Sequence, residues 1–199
     1  MTTAAQHPVF LDHRGNPRPV KESPLTYEQA RLGMAFHEAG HAVLAMSYGI
    51  HVASSEVITW TVEKDGWGLT GDTNTNVGSV NAWHYSAVCA VGALSEVQYL
   101  MVHGLWTPER AAICAAEHDR AHAVDVLAVH GIRLACDHVP SGGKSWGQVR
   151  GMARRRMDHL WREIRTVAHA MNEATRLTGE QIAAMTGLTN PPLPEAVAR

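Results

Sequence analysis

The sequence predicts a mainly α domain carrying one small β-hairpin. Three observations point there. Two stretches of about 22 residues each, 27–48 and 81–103, run without proline. In the second of these, and again from 149 to 171, apolar residues recur at three- and four-residue steps. One segment, 55–62, alternates with the two-residue period of a strand.

Residues 1–24 hold four prolines and no periodic apolar pattern, so they read as a flexible N-terminal arm without a core of its own. Thr26 and Gln29 fit a capping box, and Gly49 is a natural stop, which predicts a first helix over 27–48. In 55–62, Ile58, Trp60 and Val62 share one face and Val57, Thr59 and Thr61 the other. Lys64, Asp65 and Gly66 supply a turn, 67–73 return as a second strand, and 74–80 read as a polar loop. The second helix, 81–103, carries Val88, Val91, Leu94, Val97 and Met101 at helical spacing and ends at Gly104. Thr107, Pro108 and Glu109 open the next helix or helices, which run to Gly131. A long amphipathic helix follows, with Val149, Ala153, Met157, Leu160, Ile164, Val167 and Met171 as its stripe. Thr178 and Gln181 form a second capping box before a short last helix ending near Gly187. The expected organisation is an arm (1–24), a folded domain (25–187) and a proline-rich tail (188–199).

At 45% hydrophobic and 18% charged, the chain can bury a core. A net charge of −2 leaves no strongly basic surface for nucleic acid or an anionic membrane. Arg154, Arg155 and Arg156 read as the solvated face of the long helix. No signal-peptide core precedes the first helix, and the most apolar run, 87–94, is far short of the ~20 residues of a membrane span. Three widely spaced cysteines without a Cys-x-x-Cys pair suit a reducing, cytoplasmic setting.

Thirteen histidines are about three times ordinary usage. His37-Glu38-Ala39-Gly40-His41 lies inside the first helix. Four residues of helix bring His37 and His41 one above the other, so both imidazoles can hold one Zn²⁺. Glu38, rotated by about 100°, sits beside the metal, where a general base of a zinc peptidase must sit. Chance yields this pattern about 0.05 times in a chain so rich in histidine. The alternative is a histidine pair satisfied by core hydrogen bonds. A catalytic zinc takes a third protein ligand, and spacing alone leaves His118, Asp119 and His122 open. His130, His159 and His169, and His122 if it is not a ligand, read as surface or structural histidines.

The helix around His37 and His41 resembles the zinc-binding helix of the FtsH-type ATP-dependent metallopeptidases, commonly His-Glu-Ala-Gly-His-Ala. The likeness continues in order: Val57-Ile58-Thr59, then Gly68 and Thr70; Gly92 and Glu96 in the second helix; His118-Asp119 with Ala123; and Leu177 to Ile182 at the last helix. The resemblance implies a helical zinc metallopeptidase domain with His37, His41 and Asp119 as ligands and Glu38 as base. His118 is second choice for the third ligand. Glu96 is implied as a structural partner. The chain departs from the pattern at Ala93, where the family has Arg, and at His118, where it has Asn.

The expected activity is hydrolysis of unfolded or flexible polypeptides without an ATPase of its own. The segment 139–145 lacks the spacing of a phosphate loop and reads as a turn. Residues 57–62 are expected to be an edge strand that holds substrate. A non-catalytic zinc module, and a protease subunit served by a separate ATPase, are the alternatives. The family's rings make a homo-oligomer an open expectation.

Overall fold

A single helix, α1 (Tyr27–Ser47), is the axis of the fold. The computed structural model describes residues 8–18, 22–62, 66–76 and 80–193. Thr26 Oγ1 accepts the Gln29 amide at 3.3 Å while the Gln29 side chain accepts the Thr26 amide at 3.2 Å, so the expected capping box starts α1. Gly49, at φ +73°, ends it in a conformation that favours glycine. Every residue from Ala35 to Met46 is buried, so this stretch has no solvent face.

Around α1 lie β1 (His51–Val62), β2 (Gly66–Asn76) and α2 (Ala82–Val102), then α3 (Pro108–Ile113) and α4 (Glu117–Val129). Two short strands, β3 (Leu134–Ala135) and β4 (Lys144–Ser145), pair in parallel. The chain continues through α5 (Trp146–His159), α6 (Trp161–Ala174), β5 (Arg176–Thr178) and α7 (Gly179–Thr186). The expected mainly α class with a small β element is what the chain adopts. The sheet has three antiparallel strands in the order β2-β1-β5.

Small residues let the helices approach closely. A Cβ at Gly40 of α1 would strike Ser95 of α2. Phe36 is fully buried and stacks between Tyr99 (5.1 Å between centroids) and Trp161 (5.3 Å), joining α1, α2 and α6. Phe36→Ala should cost about 3–5 kcal/mol of unfolding free energy by denaturant titration. A loss under about 1 kcal/mol would show that this cluster does not hold the helices together.

Four expectations change. The polar stretch 74–80 is not wholly a loop: Asn74, Thr75 and Asn76 extend β2, because they pair with β1 as far as His51 and point alternate side chains to solvent. The turn residues Lys64 and Asp65, and residues 77–79 of that stretch, lie outside the described residues. The long helix is two, broken at Leu160, which closes α5 and opens α6. No glycine or proline marks the break. It is tertiary, since α5 packs on α2 while α6 packs on α1. The third strand, β5, was not anticipated; three residues before a capping box carry no periodicity. Finally, α2 is long and apolar enough to cross a membrane, with mean hydropathy 1.3, although 67% of that window is buried within the fold.

Candidate metal centre

The helical register of α1 brings His37 and His41 to the face that meets α2 and α4. Asp119 arrives from the first turn of α4, where the positive end of the helix favours a carboxylate. Its Oδ2 lies 3.2 Å from His37 Nε2 and 3.3 Å from His41 Nε2. The donor atoms of His37, His41 and Asp119 all lie within 4.8 Å of one another, and among the described residues no other group of three converges in this way. His118 also approaches Asp119, at 3.3 Å, but on Oδ1, outside the donor set. The arrangement therefore draws on Asp119, with His118 as its neighbour.

The outer nitrogens fix the inner ones. His41 Nδ1 lies 2.7 Å from Val88 O, which can only accept, so Nδ1 carries the proton. His37 Nδ1 lies 3.2 Å from Glu96 Oε2, which likewise accepts. In neutral rings both Nε2 lone pairs then face the Asp119 carboxylate, an arrangement that repels unless a cation or extra protons lie between them. Two nitrogens and one carboxylate oxygen suit a tetrahedral dication. At bond lengths of 2.0–2.1 Å, adjacent donors would stand about 3.3 Å apart. The two observed N–O separations match that edge, so the residues fit a bound metal ion.

The electrostatics agree. Burial raises the Asp119 carboxyl, yet His41 and His37 hold it well below the usual range. Burial pulls His37 down, but hydrogen bonds to Asp119 and Glu96 take it well above its ordinary value. His41 is raised too, against burial, by Asp119. The pocket favours positive charge between these groups.

Glu38 is buried on α1 beside the triad. Burial raises its carboxyl, partly offset by His41, His37 and the Thr73 hydroxyl, which donates to Oε2 at 2.6 Å. Thr73 in turn receives Ser55 Oγ at 2.7 Å. Two glycines make room. A Cβ at Gly92 would meet Nε2 of both histidines, and one at Gly71 would meet the Glu38 carboxylate.

The expected edge strand is not the one beside this centre. The segment 57–62 belongs to β1, whose other side is taken by β5 only at Ser54–Glu56, so Ile58–Val62 pair with β2 alone and form an edge as expected, but away from the cleft. β2 is the outer strand, and Gly71, Thr73 and Thr75 line the cleft. Val57 donates its amide to Thr175 O at 2.9 Å, away from β2. Its partner Gly71 is therefore in a non-hydrogen-bonded pair and turns its amide and carbonyl outward; two residues on, Thr73 does the same.

The cleft holds about 390 Å³. Its lining includes His122 and Tyr85, with Tyr85 Oη 3.5 Å from His122 Nε2, so His122 is a cleft residue and not simply a surface histidine. Gly92 and Thr73 also gain roles that spacing does not reveal. The four-residue step from His118 to His122 marks His122 as a candidate ligand; the structure places it in the cleft but outside the donor set. Glu96→Gln, which weakens the acceptor behind His37, should lower metal affinity about 10- to 100-fold by competition titration. Unchanged affinity would make Glu96 a packing residue only.

No protein-family model matches this chain, and no curated protein matches it.

Proposed function

We propose that the chain is a zinc-dependent metalloendopeptidase of the His-Glu-x-x-His type, acting on unfolded or flexible polypeptides. The observation that carries this reading is Glu38, a buried carboxylate with a raised pKa directly beside a His37–His41–Asp119 donor set. A structural metal site has no use for it. Zinc held by those three residues would supply Lewis-acid polarisation of the scissile carbonyl and of an attacking water. The carboxylate of Glu38 accepts the water's proton as the water oxygen joins the carbonyl carbon. It then returns that proton to the amine nitrogen as the C–N bond breaks. Thr73 fixes the orientation of Glu38 through its hydrogen bond. The outward amides and carbonyls of Gly71 and Thr73 suit an extended peptide added to the edge of β2. The three free cysteines agree with action in a reducing compartment such as the cytoplasm.

Zinc-loaded protein should cleave casein, lose that activity to a chelator, and regain it with added zinc. Stoichiometric zinc without cleavage would instead favour a non-catalytic zinc module. Cleavage only in the presence of an added ATPase would favour a subunit of a larger protease.

A further inference from the structure

The N-terminal arm does something its sequence does not announce. Residues 8–18, four-proline context notwithstanding, fold into a tight loop. Leu11 bridges Pro17, and Arg18 donates its amide to Phe10 O at 2.8 Å. Asp12 Oδ1 accepts the amides of Arg14 at 2.9 Å and Asn16 at 2.8 Å, while Gly15 takes φ +80°. This loop is attached to both walls of the metal cleft. On the α4 wall, Asp125 accepts Arg14 Nε and Nη2, each at 2.6 Å, and pairs with His13 Nε2 at 2.6 Å. The His13 ring also stacks on His122 at 4.6 Å between centroids. On the sheet wall, Phe10 packs on Trp60 at 5.1 Å, and Arg18 Nη1 donates to Gly71 O at 3.4 Å. Leu11, His13 and Arg18 line the same cavity as Glu38, His41 and Asp119.

Gly71 O is one of the outward groups that an added strand would use. Arg18 already occupies it. The loop thus crosses the opening between β2 and α4 and takes a hydrogen bond that an incoming chain needs.

We propose that residues 8–18 form an intramolecular strap that closes the metal cleft, and that a polypeptide must displace it to reach the edge of β2. The second half of this statement rests on the peptidase reading; the closure of the cleft rests on the contacts alone. The α4 anchor is exposed and ionic, so it is weak enough to open. A closed cleft lowers apparent substrate affinity by the fraction of molecules that are open.

The test compares the full-length chain with Asp125→Ala, which removes the α4 anchor, and Arg18→Ala, which frees Gly71 O. Neither residue belongs to the metal or base set. Three rates are measured: tryptic nicking after Arg14, removal of bound zinc by 1,10-phenanthroline, and cleavage of casein. Asp125→Ala should raise all three by roughly threefold at low salt. Arg18→Ala should raise casein cleavage at low casein concentration. Equal nicking or equal zinc removal in wild type and Asp125→Ala overturns the strap, whatever casein shows. Faster nicking and zinc removal, with casein cleaved no faster by either variant, overturns its role in admitting substrate. If no form cleaves casein while zinc removal still quickens in Asp125→Ala, the peptidase reading fails and the closed cleft stands.

Discussion

Glu38→Gln should retain zinc and lose casein cleavage by about 10²- to 10⁴-fold, the usual contribution of a positioned general base. The substitution keeps the side chain's size and still offers an oxygen to the Thr73 hydroxyl, so the burial and the hydrogen bond behind Glu38 survive. What disappears is the capacity to take a proton. Burial raises the pKa of this carboxyl, which makes its carboxylate a stronger base. Metal content and melting temperature measured beside the activity separate lost chemistry from lost structure. A variant cleaving within about threefold of wild type would remove Glu38 from the mechanism.

Gly92→Ala should weaken zinc binding through one methyl group. In an isolated helix this change is favourable by about 1 kcal/mol, because alanine is the better helix former. Here the added Cβ runs into the Nε2 atoms of both His37 and His41. Overpacking of this kind costs about 1–3 kcal/mol, or about 5- to 150-fold in affinity if it falls on the metal-bound form. The opposite signs of the two effects make the result diagnostic. A competition titration with a chromophoric zinc indicator reads it directly. Affinity within twofold of wild type would mean that α1 and α2 separate easily at this point.

The first helix and its two histidines were legible because everything that defines them is local. Thr26 and Gln29 cap within one turn, and His37 and His41 converge through helical rotation alone. Asp119 is 82 residues from His37, and only the ordered resemblance along the chain singled it out from His118. Nothing local separates two neighbours on one helical turn; which of them enters the donor set depends on the angle at which α4 meets α1. Leu160 shows the same limit, since its apolar stripe continues unbroken while the helix does not. Which edge borders the cleft was not legible, because alternation identifies a strand but not its neighbours. β5, more than a hundred residues away, covers β1 only at Ser54–Glu56, and the strand that borders the cleft is β2. Gly92 and Gly71 matter for the space they leave, and the histidines and carboxylate filling that space come from another element. The arm read as coreless because its contacts, with Asp125, His122 and Trp60, are all long-range.

Metal analysis of wild type beside His41→Ala and Asp119→Ala tests the centre most directly, since it requires no substrate. Each protein is stripped with a chelator, reloaded with zinc, dialysed and assayed for metal per chain. Wild type should hold one zinc per chain, and both variants should hold little or none, because a catalytic site has three protein ligands and cannot spare one. Zinc retained equally by all three proteins, or absent from reloaded wild type, would contradict a metal centre built from His37, His41 and Asp119.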